Sequence, residues 1–267
     1  FVAWLVAKKI KAGLQLQVHT DLFNENFSKK SLSNIIKTDM AKFLLSQASG
    51  IRVVSEGIAN SIKKEVNTKS EPFVLPIYVD VAAISSHVPL VDLKKKYGFS
   101  KVVLVASRFS KEKNLPLAVE SFARVAKILP DVCMVMAGSG VEEENVRNLV
   151  RRLDLSKRVF LEGWSNDVYS LLKTSDVFLL TSEYEGYGMT IVEALAAGLP
   201  VVSTDVGVAK EAGAIVVTKD AQEISNAMLK ILKGETGSQK LAARFRSSKE
   251  EYLQNFKKSM EICTQQN

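Results

Sequence analysis

The chain has 267 residues, 46% of them hydrophobic and 24% charged, and 36 basic against 29 acidic side chains give a net charge of +7. These are the fractions of a soluble globular protein, at a length suited to one large or two ordinary domains. With two histidines and two widely separated cysteines, Cys133 and Cys263, the composition excludes a His-rich metal site and gives no support to a disulfide framework, which fits a reducing compartment.

The opening Phe-Val-Ala-Trp-Leu-Val-Ala, followed by two lysines, is too short to span a bilayer and lacks a signal-peptide layout. It reads as a buried helix over residues 1–12, in a chain that begins inside a domain. A strand over 14–18 ends in His19-Thr20-Asp21. Leu32, Ile35, Ile36, Met40, Phe43 and Leu44 then recur at helical spacing. A strand over 51–55, a helix over 58–64 and a strand over 73–78 follow. Residues 78–90 carry no periodicity and read as a linker, before a short helix over 92–97.

From Lys101 the alternation is regular. Strands are expected over 102–106, 132–136, 159–161, 177–180, 201–202 and 214–217. The helices between and after them are expected over 115–128, 142–153, 168–173, 189–197 and 221–232. Strands alternating with helices imply a doubly wound parallel sheet with right-handed crossovers. The tail from Gln239 to about Cys263 reads as one charged amphipathic helix. Cys133 sits inside an apolar run, as a buried thiol would.

The unusual residues follow the C-terminal ends of four expected strands: S-R-F-S-K-E-K-N with Arg108 and Lys113, A-G-S-G with Gly138, E-G-W with Gly163 and Trp164, and T-S-E-Y-E-G-Y-G ahead of a helix. Parallel strands bring these loops to one edge, where α/β sheets bind ligands. Two cations, several glycines and a helix N-terminus suit a diphosphate. Glu185 and Glu193 would repel phosphate but suit hydroxyl groups. Together they describe a nucleotide diphosphate-sugar. Taken singly, each has a plain alternative: a solvated loop charge, a turn glycine or a packed aromatic.

The run S-E-Y-E-G-Y-G-M-T-I-V-E-A-L-A-A-G-L-P-V-V-S-T resembles the signature of glycosyltransferase family 4: two glutamates separated by seven residues, with E-A-x-A-x-G-x-P-V-V. The resemblance covers nearly the whole chain and is strongest over 101–211. It implies an α/β fold of GT-B type, with two Rossmann-like doubly wound domains, the first incomplete. Residues 1–77 would be the later part of the acceptor-side domain and 78–245 the donor-binding domain. Residues 246–267 would form a helix crossing back to the first.

The resemblance further implies a retaining, hexosyl-type glycosyltransferase, with Arg108, Lys113 and Glu185 as its catalytic residues. His19, Gly138, Gly163, Trp164, Gly186, Tyr187, Gly188, Met189, Thr190 and Glu193 would bind the donor. Neither a cofactor nor a metal is expected, since no Asp-x-Asp pair is present and the cations and helix end take that role. The acceptor would be a glycan or a lipid-linked molecule. Localisation is expected to be cytoplasmic, with the lysine clusters Lys8-Lys9-Lys11, Lys94-Lys95-Lys96 and Lys257-Lys258 read as solvated faces or as peripheral contacts with an anionic membrane. No nucleic-acid motif or aromatic platform is present. Two departures from the family pattern stand out: its opening strand and Gly-rich loop are missing, and Ser107 takes the place of a glycine. A dinucleotide oxidoreductase would need a G-x-G-x-x-G turn that the chain lacks. A non-catalytic nucleotide-sugar-binding or scaffold domain remains the alternative.

Overall fold

A computed structural model describes residues 1–28 and 31–263. The chain forms two compact units. The first holds Phe1–Tyr78, Tyr184–Tyr187 and the chain from Ala243 onward; the second holds Val79–Glu183 and Gly188–Ala242.

The first unit opens with α1 (Val2–Ile10), β1 (Gln15–Val18), α2 (Glu25–Ser28), α3 (Leu32–Gln47), β2 (Gly50–Val53), α4 (Glu56–Glu65) and β3 (Phe73–Val74). Its strands are parallel, in the order β1-β2-β3. Ser31 and Ser55 start α3 and α4 by accepting hydrogen bonds from Asn34 and Ile58 N–H. β3 is shorter than the expected 73–78. Leu75 N–H still donates to Val53 O at 2.8 Å, but Pro76 has no N–H with which to continue the ladder. The expectation that the opening helix is buried is also corrected. Trp4 meets Phe43 edge-on with 5.1 Å between ring centroids, yet no residue of α1 is buried, and Phe1, Val2, Leu5, Val6 and Ile10 are exposed.

The second unit contains α5 (Val81–Ser86), α6 (Leu93–Tyr97), β4 (Lys101–Ala106), a 3-10 turn at Lys111–Lys113, α7 (Leu115–Ile128), β5 (Val132–Ala137), α8 (Glu143–Arg152), β6 (Val159–Gly163), α9 (Val168–Lys173), β7 (Val177–Leu180), α10 (Met189–Ala196), β8 (Val201–Thr204), α11 (Ala209–Ala212), β9 (Ile215–Val217) and α12 (Ala221–Leu232). The expected linker therefore carries α5. Six residues are too few to show helical periodicity; Asp80, whose side chain accepts from Ala83 N–H, is what starts the helix. All six strands are parallel, ordered β6-β5-β4-β7-β8-β9. Successive connections step outward from β4 through β5 to β6. The chain then returns past β4 and builds the other half, which puts the topological switch point between β4 and β7.

Both faces of this sheet are covered, so its strands are near-continuous apolar runs. Val103, Val105, Met134, Met136, Val177, Leu179 and Val202 pack with Phe122 and Val125 of α7 and Ile224 and Met228 of α12. Val102, Leu104, Cys133, Val135 and Phe178 alternate with them and are equally buried. Burial, then the nearby charges of Asp176 and Asp131, push the Cys133 thiol up to about 12, so it is an inert packing residue.

The tail is not one helix. Gln239 Oε1 accepts from Val201 N–H, and Ala242 N–H donates to Ala212 O, so residues 239–242 run against the second unit. After a 3-10 turn at Ala243–Phe245, a Ser248–Glu251 capping box starts α13 (Lys249–Glu261) in the first unit. The end of the expected 246–267 helix, residues 264–267, lies outside the described residues. α13 lies against a buried arginine that sequence reading passed over. Arg52, 3% exposed in β2, donates to Gln17 Oε1, Leu75 O and Tyr252 Oη. Its guanidinium also lies over the rings of Tyr252 and Phe256.

Among the described residues no helix is long and apolar enough to cross a membrane.

Candidate donor-binding site

The loops after β4, β5, β6 and β7 open on one edge of the second sheet, around the switch point. Three are laced together by their backbones. Ser107 N–H donates to Ala137 O at 3.0 Å, Phe109 N–H to Ser139 O at 2.8 Å, Glu142 N–H to Phe109 O at 3.0 Å and Gly138 N–H to Gly163 O at 2.7 Å. The A-G-S-G turn needs its glycines for this approach. A Cβ on Gly138 would stand 1.8 Å from Ser107 O, and one on Gly140 2.3 Å from Phe109 O. Gly138 thus serves by close packing, with its N–H occupied by Gly163. Phe109, fully buried, pins the loop from beneath.

This lacing presents Arg108 outward. Its side chain is 74% exposed, with one guanidinium nitrogen 3.8 Å from Glu112 Oε1. Lys113 is half-buried at the end of the 3-10 turn. Ser107 is also distinctive: its hydroxyl is buried and has no hydrogen-bond partner among the described residues. Trp164 follows β6 and is exposed, its indole N–H donating to Asn166 Oδ1 at 3.1 Å.

Across the switch point stands α10. Gly188 is its N-cap, at φ 90°, and no described side chain caps the helix. The first-turn N–H groups of Met189 and Thr190 therefore lie at an end that favours an anion. Ile191 and Val192 are buried and anchor this turn. Glu193, one turn further, is half-buried, and that burial raises its carboxyl above the usual glutamate range.

The remaining expected residues belong to the first unit. His19 follows β1; partial burial, then the charge of Arg52, lowers its imidazole, leaving it neutral at pH 7. The loop between β7 and α10 enters this unit over Tyr184–Tyr187. A Cβ on Gly186 would lie 2.7 Å from Thr20 Oγ1 and 3.1 Å from His19 O, so a side chain here would collide with the end of β1. The Tyr184 ring lies 6.1 Å from the Phe27 ring, and burial pushes its hydroxyl up to about 12. Tyr187 is 5% exposed, and its hydroxyl accepts from Ile77 N–H at 3.1 Å. Its side chain thus packs in the first unit and holds the loop in place. Glu185, between these anchors, is half-buried.

Sequence reading passed over the residues that hold the cation-bearing loop: Asn114, Thr181, Glu183 and Lys219. An Asn directly after Lys113, followed by a helix, was the available signal, because Asn tolerates the left-handed backbone that Asn114 adopts at φ 46°.

Comparison with known proteins places these features in context. A family model described as "Glycosyl transferases group 1" matches residues 92–252. The chain is 28% identical over 230 residues to the N-acetyl-alpha-D-glucosaminyl L-malate synthase of Bacillus anthracis, covering 83% of this chain and 58% of that protein. It is 34% identical over 144 residues to an Escherichia coli UDP-Gal:alpha-D-GlcNAc-diphosphoundecaprenol alpha-1,3-galactosyltransferase, covering 50% of this chain and 36% of that protein. In fold it matches Anabaena Alr3699/HepE, solved in complex with UDP and glucose, with a TM-score of 0.73 at 20% identity over 99% of this chain and 70% of that one. It also matches a point mutant of S. aureus TarM, solved with Fondaparinux, alpha-GlcNAc-glycerol and UDP, with a TM-score of 0.71 at 19% identity over 93% and 50%. The fold is thus α/β with parallel sheets, shared with GT-B glycosyltransferases. The chain spans little more than half the length of the first of these relatives and about a third of the second.

Proposed function

Since the chain belongs to the group 1 glycosyl transferases, we propose that it takes part in moving a hexosyl group from a nucleotide diphosphate-sugar to a glycan or lipid-linked acceptor, with retention of configuration as in glycosyltransferase family 4. One observation carries the reading. The switch point of the second sheet has an exposed arginine and a lysine on one flank and an uncapped helix N-terminus on the other.

In this reading an acceptor hydroxyl oxygen bonds to the anomeric carbon as the bond from that carbon to the β-phosphate oxygen breaks. Negative charge builds on the departing diphosphate, which takes up the hydroxyl proton. Arg108, Lys113 and the N–H groups of Gly188, Met189 and Thr190 offset that charge. Glu185 and His19 hold sugar hydroxyls, and neutral His19 serves as a hydrogen-bonding group rather than a cation. Glu193 holds the ribose, while Gly163 and Trp164 border the base. No metal or cofactor is invoked, because the two cations and the helix end already supply the positive field. The acceptor is assigned to the first unit. Its parallel three-stranded sheet and the exposed apolar residues of α1 and α3 suit an acceptor-side unit. The lysines of α1 suit peripheral contact with an anionic membrane on the cytoplasmic side.

Calorimetric titration with UDP, GDP and ADP, without added metal, tests the donor site. One diphosphate should bind, and Arg108→Ala should weaken it by about 10- to 100-fold, the scale of a charge-assisted hydrogen bond, while barely changing affinity for the free nucleoside. Equal losses for both ligands would remove the phosphate role of Arg108. Donor hydrolysis, followed with the binding base, separates an enzyme from a binding domain.

A further inference from the structure

Sequence comparison draws attention to the glutamates that would touch the donor, but the geometry around the cation-bearing turn singles out another. We propose that Glu183 is a positioning residue for the diphosphate: it touches no ligand itself and fixes the turn from which Lys113 projects. The proposal rests on the donor-site reading above.

Glu183 lies just past the end of β7 and grips the turn at two points. Its backbone N–H donates to Glu112 O at 2.8 Å, and its Oε1 accepts from Asn114 Nδ2 at 2.6 Å. These bonds bracket Lys113 in sequence. Two residues upstream, the buried Thr181 directs its hydroxyl at Lys113 O and Asn114 O, at 3.1 and 3.0 Å. Within the turn, Ser110 Oγ donates to Glu112 Oε1 at 2.7 Å. On the far side of Glu183, Lys219 Nζ, from the loop after β9, pairs with Oε2.

The turn is thus bound to the end of β7, the strand across the switch point from β4. Asn114 is the joint. Its left-handed backbone ends the 3-10 turn and starts α7, and its side chain is the donor to Glu183. Thr181 and Glu183 also lead directly into the loop that reaches α10. One short segment therefore sets both the position of Lys113 and the departure of the chain toward the helix end. The Glu183–Lys219 pair is 40% exposed on each side and is solvent-screened. The hydrogen bond to Asn114, rather than the ion pair, is the part that positions.

The test measures affinity of the purified chain for UDP, GDP and ADP, and for the matching monophosphates, by calorimetry. It compares Glu183→Ala, Glu183→Gln and Asn114→Gly, with the melting temperature recorded for each. Glycine keeps the backbone at φ 46° without strain but removes the amide donor. Glutamine keeps the acceptor for Asn114 and removes only the charge. Glu183→Ala and Asn114→Gly should each weaken the diphosphate by about tenfold, the equivalent of one lost hydrogen bond, with monophosphate affinity changed much less. Glu183→Gln should restore affinity to within about threefold of the parent. If the parent binds and the variants weaken diphosphate and monophosphate equally, in step with melting temperature, Glu183 is merely structural and the proposal fails. It fails likewise if the variants bind as the parent does. If the parent binds none of the three diphosphates, the donor-site reading itself falls, and the proposal with it.

Discussion

The two sheets of this protein are built from the same parallel β-α units, yet they differ in how completely they are covered. In the second, β4, β5, β7 and β8 are buried on both faces, and helices account for the apolar surface of every central strand. In the first, α1 buries nothing, and Leu32, Ile35, Ile36, Met40 and Phe43 of α3 are exposed. The first unit keeps a smaller apolar core around Leu45, Val53, Ile58 and Ile62, and adds to it a polar anchor, Arg52, clasped by α13. A sheet closed on both faces gives its loops a close-packed base, and the cation-bearing loop is hydrogen-bonded to it. In the first unit the central strand β2 is buried, while α1 and much of α3 leave apolar side chains exposed.

This contrast can be broken at its stiffest point. Gly138→Ala drives a Cβ into Ser107 O and forces a side chain onto a φ of 134°. It should cost about 3 kcal/mol or more, or abolish folding of the second unit. An unchanged denaturation midpoint would show that the laced loops yield to a methyl group without cost. In the first unit the corresponding point is Arg52. Arg52→Ala should cost about 3 kcal/mol, since it leaves Tyr252 and Gln17 without their partner over a cavity. Arg52→Met, which fills the same space without a buried charge, should cost much less. Equal losses in chemical denaturation would mean that the hydrogen bonds, not the packing, hold α13.

A smaller effect comes from Glu193. Its folded-state pKa is raised by burial, so the folded chain holds that proton more tightly than the unfolded chain. Its contribution to stability therefore falls as pH rises from the unfolded value through the raised one. Glu193→Gln should raise the melting temperature modestly at about pH 7.5, and the gain should vanish below about pH 4, where both states of the parent are protonated. A gain independent of pH would discount the burial of the carboxylate. The least change is expected at the open face. Leu32→Lys and Ile36→Lys should each shift stability by no more than about 0.5 kcal/mol. A large loss in either would mean that this face is covered in solution.

What the sequence disclosed follows the same divide. In the second unit, helices at Leu115–Ile128, Val168–Lys173 and Ala221–Leu232 and the strand Val177–Leu180 stand where apolar periodicity puts them. There, burial on both faces leaves an unbroken signal. It failed where local chemistry outweighs periodicity: at α5, started by the Asp80 cap, and at β3, cut short by Pro76. It failed again in the tail, where Gln239 pairs with β8 before any helix begins. The loops around the site were legible because Arg108, the A-G-S-G turn and the glutamates each follow a strand end. The strand order was not, because alternation says nothing about which strands are neighbours. Nor was the grip on Lys113, since Asn114, Glu183 and Lys219 come from three separate loops and carry no common motif.

The path of the chain has a practical consequence for anyone wishing to divide it. The polypeptide changes unit four times, after Tyr78, Glu183, Tyr187 and Ala242. The second unit is thus not one uninterrupted length of gene. A fragment spanning residues 79–242 would keep Tyr184 and Tyr187 while losing Phe27 and Ile77, against which they now rest. Two aromatic rings would be released into water at the tip of the loop between β7 and α10. Such a fragment would need polar replacements at both tyrosines before its solubility, or its affinity for a nucleotide, could be read as a property of the native site.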